Sequence, residues 1–194
     1  MHEALVQNIC EIVPLADVEV EMIKDYFKPV HLKKKQFLLQ KGESCNHMRF
    51  IAAGCIKLFS IDDSGKEHIL QFGIEGWWVN DLYAYLTQKP ATFFMQAITN
   101  STVLQVHRYQ LNDLYDKIHM MDRFFRIKTQ NGYVALQERT INAMSQSAEE
   151  RYFDFTRKYR VMEQQIPQYM IASYLGITPE HLSALRKNLT GKLS

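Results

Sequence analysis

The chain has 194 residues, of which 46% are hydrophobic and 23% are charged, and its formal net charge is +2. This composition is that of a globular protein with enough material for one large domain or two small ones. No run of about 18 apolar residues occurs, so a membrane span is not expected. The N-terminus lacks the basic-then-apolar pattern of a signal peptide, and we expect a cytoplasmic protein.

Three cysteines, Cys10, Cys45 and Cys55, are odd in number and show no C-x-x-C spacing. This count argues against a disulfide framework and against a four-cysteine iron–sulfur site. The seven histidines form no H-E-x-x-H pair, and no G-x-x-x-x-G-K loop occurs. We therefore predict no metal, no catalytic residues and no enzymatic activity.

The N-terminal segment, residues 3–28, has the periodicity of helices with a break at Pro14. Its predicted apolar stripe is made by Val18, Met22, Ile23 and Phe27.

From about residue 30 to 107 the pattern changes to short alternating strands separated by turn residues. The alternating sets are Met48/Phe50, Ile56/Leu58, His68/Leu70/Phe72 and Thr102/Leu104/Val106. Turns about 8–12 residues apart indicate an antiparallel sandwich or barrel rather than a parallel sheet.

Beyond His107 the pattern predicts a short helix from Tyr109 to about His119, then a long one from about Met120 to Met144. A heptad spacing in the long helix is given by Met120, Ile127, Val134 and Ile141, as in a coiled-coil seam. The helix either packs on the strand segment or joins two copies of the chain. We favour dimerisation, because the helix is long and separates two regions of different texture.

The C-terminal segment predicts a helix over 148–159 and then two short helices within 168–187. Gly176 stands where a helix often ends with positive φ, Thr178 can cap the second helix, and Pro179 fits its first turn. Apolar positions are Ile171 and Leu175 on the first helix and Leu182, Leu185 and Leu189 on the second, with a small residue, Ala172, at the crossing. This combination is typical of a helix-turn-helix, and the alternative is an ordinary αα-hairpin.

Charge is placed unevenly. Residues 151–194 hold seven Lys or Arg and three acids, a balance of +4, whereas residues 1–150 carry −2. A basic segment that includes a helix-turn-helix favours contact with phosphates, although a solvated helical face has the same composition.

These features in this order resemble the family of the bacterial cyclic-AMP receptor and the fumarate–nitrate regulator (Crp/Fnr). The shorter matches are Gly42-Glu43, residues 51–54 and residues 63–67. The resemblance implies an α+β protein with an N-terminal antiparallel β jelly roll, a long dimerisation helix and a C-terminal helix-turn-helix. It divides the chain into a cyclic-nucleotide-binding-like sensor domain (1–118), the dimerisation helix (119–145) and a DNA-binding domain (146–194). The partners it implies are double-stranded DNA, a second copy of the chain and RNA polymerase.

The family's phosphate-binding cassette corresponds to residues 76–82 and 90–95. Asn80-Asp81 stands where the family has Gly-Glu, and Ala91-Thr92 stands where it has Arg-Ser. Loss of the arginine removes a charge-assisted contact to phosphate, so cyclic AMP is not expected to be the ligand and no cofactor is predicted. The candidate effector pocket comprises Trp77, Trp78, Asn80, Asp81, Leu82, Ala91 and Thr92, with the two tryptophans partly filling the cavity.

The second helix is expected to enter the major groove on the side opposite its leucines. The predicted DNA-binding residues are Gln168, Tyr169, Thr178, Glu180, His181, Ser183, Ala184, Arg186 and Lys187. Glu180 either accepts from a cytosine amino group or only favours the helix dipole, and Arg186 and Lys187 are expected to anchor phosphates. The predicted function is sequence-specific regulation of transcription by a dimer on a two-fold operator. The alternative is a small-molecule sensor or scaffold that acts through protein contacts, with a vestigial DNA-binding domain.

Overall fold

A computed structural model of the chain describes residues 1–160 and 163–191, and for residues 189–191 it describes the backbone alone. The strands are β1 (Lys28–Leu32), β2 (Phe37–Leu39), β3 (His47–Ala53), β4 (Cys55–Ile61), β5 (Glu67–Ile74), β6 (Phe94–Ala97) and β7 (Ser101–His107). The helices are α1 (His2–Cys10), α2 (Asp17–Tyr26), α3 (Leu82–Thr87), α4 (Arg108–Lys117), α5 (His119–Ser145), α6 (Ala148–Lys158), α7 (Gln168–Leu175) and α8 (Pro179–Gly191).

The strands form a three-stranded sheet of order β1-β7-β3 and a four-stranded sheet of order β2-β6-β4-β5, and every pairing is antiparallel. The prediction of an α+β protein with antiparallel sheets is confirmed. The turn between β3 and β4 requires glycine, because Gly54 has φ +90° and a Cβ there would lie 2.3 Å from Ser101 Oγ.

An interior cluster of apolar side chains fills the space between the two sheets. It draws on both sheets and on α3, and its buried members include Leu32, Leu39, Ile51, Ile56, Leu58, Val79, Ala84, Tyr85, Met95 and Val103. β4 is buried on both faces, since Cys55 to Phe59 are all buried. The alternation of Ile56 and Leu58 predicted that one face of β4 is covered. The C-terminal helices cover its other face.

A second cluster, the N-terminal cluster, packs α1, α2, α4 and the start of α5 on the outer face of the three-stranded sheet. Ile23 and Phe27 are fully buried there, as predicted. Val18 was predicted in the same stripe, and that prediction is wrong, since Val18 is 69% exposed. It stands five residues before the buried Ile23, about 140° away around the helix axis at 3.6 residues per turn.

A third cluster, the C-terminal cluster, covers the outer face of the four-stranded sheet with residues of α6, α7 and α8. The ring of Phe72 on β5 lies 5.3–6.1 Å, centroid to centroid, from the rings of Phe155, Tyr159 and Tyr174. Ser173 on α7 donates from Oγ to the Glu67 carbonyl at 2.7 Å and accepts from the Ile69 N–H at 3.2 Å. We call this apolar and hydrogen-bonded junction the β5–α7 contact.

The long helix α5 is covered on one side near its N-terminus and at Arg139, whereas residues 131–138 are all exposed and the opposite side is uncovered. Met121, Phe124 and Phe125 bury its N-terminal part in the N-terminal cluster. Further along the same side, the Arg139 guanidinium donates to the carbonyls of β5 and lies 4.3 Å from the Tyr174 ring. The opposite side carries exposed apolar residues, namely Tyr133, Val134, Ile141 and Met144. Two of the predicted heptad residues, Val134 and Ile141, are thus 50% and 61% exposed.

No helix in the described part of the chain combines the length and apolar character needed to cross a bilayer.

Candidate nucleic-acid interface and interior pocket

The helices α7 and α8 form a tightly joined pair. Ile171, Ala172 and Leu175 are buried on α7, and Leu182 is fully buried on α8. Gly176 ends α7 with φ +69°, in the left-handed region that glycine adopts without strain. The small Ala172 side chain is 1% exposed, as expected for a residue at a close helix crossing.

The start of α8 is capped as the sequence predicts. Thr178 Oγ1 accepts a hydrogen bond from the His181 N–H at 3.2 Å, and Pro179 is the first helical residue. The pKa of Glu180 is lowered by hydrogen bonds from its own backbone N–H and from Thr178. Because Glu180 is exposed, its carboxylate can both favour the helix start and face a partner.

One face of α8 is open to solvent. A shallow depression on this face is lined by Pro179, Glu180, Ser183, Ala184 and Lys187. We call it the open face of α8. Four predicted DNA-binding residues therefore share one surface, with Leu182 on the opposite, buried side.

The remaining predicted DNA-binding residues lie around that face. Thr178 and His181 are exposed beside it, and Gln168 and Tyr169 are exposed at the start of α7. Arg186 is half-buried, and its charge acts on the buried Tyr152 hydroxyl. Leu185 is half-buried as well, and the predicted role of the Leu189 side chain lies outside the described residues.

Between the two sheets, the buried carboxylate of Asp81 accepts hydrogen bonds from backbone N–H groups at the start of α3 and before β6. One oxygen accepts from the Ala84 N–H at 3.0 Å. The other accepts from the Thr92 N–H at 2.8 Å, from Thr92 Oγ1 at 3.0 Å and from the Phe93 N–H at 3.2 Å. Backbone N–H groups at such a turn are suited to anions. Here a side chain of the chain itself is that anion.

Beside Asp81 lies a polar cluster made by Asn80, Arg49 and Cys45. Arg49 donates from Nη1 to Asn80 Oδ1 at 2.8 Å, and the Cys45 thiol donates to the same oxygen at 3.3 Å. Burial raises the pKa of Cys45, and Arg49 opposes this shift. Burial, together with Arg49 and His107, lowers the pKa of the neighbouring His47 to about 4.

The candidate pocket residues do not all meet. Asn80 belongs to the polar cluster, and Thr92 donates to Asp81 beside it. Ala91 is buried, and its N–H donates to the Glu43 carbonyl at 2.8 Å. Leu82, in contrast, is 37% exposed on the outside of α3.

The prediction that Trp77 and Trp78 fill the interior is wrong. The Trp78 ring packs in the N-terminal cluster, 5.4 Å from Phe50 and 5.0 Å from Phe125 between ring centroids. The Trp77 ring lies 5.6 Å from that of Tyr159 in the C-terminal cluster. Trp78 pairs with Phe50 of β3 in an isolated bridge, and its ring lies in the same cluster as that of Phe50.

Comparison with known proteins identifies the architecture. Residues 29–117 match the model of the cyclic nucleotide-binding domain. The anaerobic regulatory protein of Haemophilus influenzae is 26% identical over 200 residues, which cover 95% of this chain and 76% of that protein. The fumarate and nitrate reduction regulatory protein of Vibrio cholerae is 26% identical over 183 residues, covering 86% of this chain and 70% of that protein.

The chain is similar over most of its length to transcription regulators of the Crp/Fnr family. Among solved structures, the catabolite activator protein of Thermus thermophilus shares the fold with a TM-score of 0.56 and 16% identity, covering 95% of this chain and 87% of that one. The c-di-GMP-responsive global regulator CLP of Xanthomonas campestris has a TM-score of 0.73 at 9% identity, covering 91% of this chain and 93% of that one.

The surroundings of Asn80 were predicted only in part. The sequence identified the replacements at Asn80-Asp81 and Ala91-Thr92, but it did not identify Arg49 or Cys45 as neighbours of Asn80. Arg49 was overlooked because it stands in an apolar strand, and a buried charge in such a strand was the available clue. Among the residues that the structure describes, no group of three or more His, Cys, Asp or Glu side chains is placed to hold a metal ion.

Proposed function

We propose that this chain is a Crp/Fnr regulator that binds a two-fold DNA site as a homodimer and reads sequence with the open face of α8. The proposal divides the chain into a jelly-roll sensor domain (1–118), a dimerisation helix (119–145) and a helix-turn-helix domain (146–194), acting in the cytoplasm with RNA polymerase as a further partner. The observation that carries it is the placement of Glu180, Ser183, Ala184 and Lys187 on one open helical face above a buried, capped helix pair.

Chemistry on this face suits the major groove. Glu180 can accept from a cytosine amino group, Ser183 can meet base edges or phosphate, and the Ala184 methyl suits a thymine methyl. Lys187, at the edge of the same face, suits a phosphate, which positions the helix without specifying sequence.

Binding to DNA is tested by the salt dependence of affinity. Lys187→Ala is expected to weaken binding to all sequences and to reduce the slope of log affinity against log salt by about 1, because one phosphate contact is lost. The control is Lys41→Ala, which removes an exposed lysine of the strand segment. Equal slopes for the two variants would contradict the assignment, and absence of salt-dependent binding by the unmutated protein would favour the sensor or scaffold function instead.

Dimerisation is assigned to the uncovered side of α5. An exposed apolar stripe on a helix whose N-terminal part is held in the N-terminal cluster is suited to a second copy of the same helix. Ile141→Glu is expected to convert the dimer to monomer, because two copies would place like charges across the seam. Sedimentation velocity measures this, and Ala143→Glu, at an exposed position away from the stripe, is the control. A dimer that tolerates Ile141→Glu would place the interface elsewhere.

Cyclic AMP is not the expected effector. Asp81 already accepts from the N–H groups of Thr92 and Phe93, and no arginine follows Pro90 to neutralise a phosphate. A second anion at the same N–H groups would face the Asp81 carboxylate. Titration with cyclic AMP is therefore expected to give no saturable heat, and a saturable isotherm would contradict this part of the proposal.

A further inference from the structure

The molecule buries two cationic side chains in its strands, and their surroundings differ. The Lys57 side chain is 3% exposed, forms an ion pair with Glu67 and lies 4.0 Å from the Phe59 ring centroid. Arg49 is also 3% exposed. Within the described residues, however, no carboxylate forms an ion pair with it. Buried charges are normally paired, so Lys57 follows the general rule and Arg49 departs from it.

The hydrogen bonds of Arg49 satisfy one end of its guanidinium. All three come from Nη1, to Asn80 Oδ1 at 2.8 Å, to the His47 carbonyl at 3.2 Å and to Cys45 Sγ at 3.6 Å. The Nε–H is buried and has no acceptor within the described residues. A guanidinium does not lose its proton in proteins, so the charge and the unused donor persist together.

The nearby Asp81 carboxylate does not supply an acceptor for the Arg49 Nε–H. Asp81 makes no ion pair with Arg49 in the described part of the chain, and its oxygens accept instead from Ala84, Thr92 and Phe93. Burial also keeps the neighbouring Cys45 in its neutral thiol form, because it raises the pKa of that thiol. Neither Asp81 nor Cys45 therefore accepts a hydrogen bond from the Arg49 Nε–H.

Strand alternation directs Arg49 into the interior. Phe50 and Ala52 belong to the N-terminal cluster, whereas Ile51, two residues from Arg49, belongs to the interior cluster. Val79, Ala84 and Tyr85 fill the same region. Because these side chains occupy the region around Arg49, the ligand that we infer is a small one.

We propose that the interior of the sheets binds a small planar monoanion, a carboxylate or an inorganic oxyanion, at the Nε edge of Arg49. Two oxygens in one plane match the parallel donors of a guanidinium edge, while Asn80 and Cys45 hold the opposite end of the group. Under the proposed function this anion is the effector of the regulator. The binding itself does not depend on DNA.

The test is a titration of the full chain, labelled with ¹⁵N, in the absence of DNA. Formate and acetate represent carboxylates, nitrite and nitrate represent inorganic oxyanions, and chloride at equal ionic strength is the reference. One arginine Nε–H resonance, assigned to Arg49 by its loss in Arg49→Lys, is expected to shift saturably with at least one planar anion and not with chloride. The unfolding midpoint should rise with the concentration of the same anion, because the ligand binds the folded state.

Variants separate this site from general charge effects. Arg49→Lys keeps the charge but lacks the Nε edge, and it is expected to weaken anion binding by about tenfold or more, because a charged, two-point contact is lost. Lys57→Met removes the other buried cation and should leave the affinity unchanged.

The inference is overturned if no planar anion saturates the Arg49 resonance of the unmutated protein. It is overturned as well if Lys57→Met loses as much affinity as Arg49→Lys. The first result needs no variant, so a folding defect in Arg49→Lys would not rescue the idea. Anion binding without any DNA binding would leave this inference standing and reject the proposed function, and the reverse pattern would do the opposite.

Discussion

On the outer face of the four-stranded sheet, the β5–α7 contact pairs its polar groups with one another: Ser173 bonds to β5 through two hydrogen bonds, and the nearby Lys57 has Glu67. Inside the sheets, Arg49 has hydrogen bonds at Nη1 and an unused donor at Nε. Both regions are buried, so the difference is not one of solvent access. A contact whose polar groups are all hydrogen-bonded holds two parts of the chain together, whereas a buried donor without an acceptor is a place where a ligand can bind.

Phe72→Ala is expected to produce the largest effect on stability. The Phe72 side chain is fully buried and touches three aromatic rings across the β5–α7 contact. Its truncation should lower the free energy of unfolding by about 3–5 kcal/mol, measured by urea denaturation. Phe37→Ala, at a site that is 39% exposed on the same sheet, is the control and should cost much less. Equal losses would show that the contact adds nothing beyond ordinary sheet packing.

Ser173→Ala tests the polar part of the same contact. It removes a donor to the Glu67 carbonyl and leaves the Ile69 N–H without its acceptor. The expected loss is about 1–2 kcal/mol in the free energy of unfolding. Ser145→Ala removes a hydroxyl that bonds only within exposed α5, and it should have almost no effect. A neutral Ser173→Ala would mean that water replaces both bonds.

Protonation of His47 is expected to make the stability of the protein depend on pH. The pKa of His47 falls from 6.5 to about 4 in the folded protein, because of burial and the charges of Arg49 and His107. The unfolded chain therefore binds more protons between these values, so this stabilisation is complete above about pH 6.5 and is lost as the pH falls towards 4.

For a half-buried group, screening reduces this contribution to on the order of 1 kcal/mol. Urea unfolding at pH 7.5 and 4.5 measures it, and His47→Gln should flatten the difference. The control is His119→Gln, at an exposed position. If His47→Gln leaves the pH dependence unchanged, His47 is not the group responsible.

The helix limits that the sequence predicted correctly are set by local patterns. The turn at Gly176, the cap at Thr178 and the start at Pro179 are determined by neighbouring residues, and α7 ends and α8 begins where these residues predict. The limits of α5 and α6 also fall within two residues of the predicted ones. Helices are defined by contacts within a few residues, so sequence periodicity finds them well.

Long-range pairing explains the rest. β1 was not recognised as a strand, because it contains Pro29 and is held by distant β7. The position of Trp78 depends on α1, α2 and α5 meeting one sheet face, which no short window of sequence contains. The Arg49–Asn80 contact joins residues 31 positions apart, so the candidate pocket could be listed only in part.

Selection of bound duplexes from a random pool tests the central claim most directly. The account predicts enrichment of a palindrome whose half-sites lie about one helical turn apart, bound by two chains. Glu180→Ala should then relax one base position in each half-site, because the contact to a base edge is lost. Enrichment of no sequence by the unmutated protein, at low salt and with each planar anion present, would contradict the claim that this regulator reads DNA with the open face of α8.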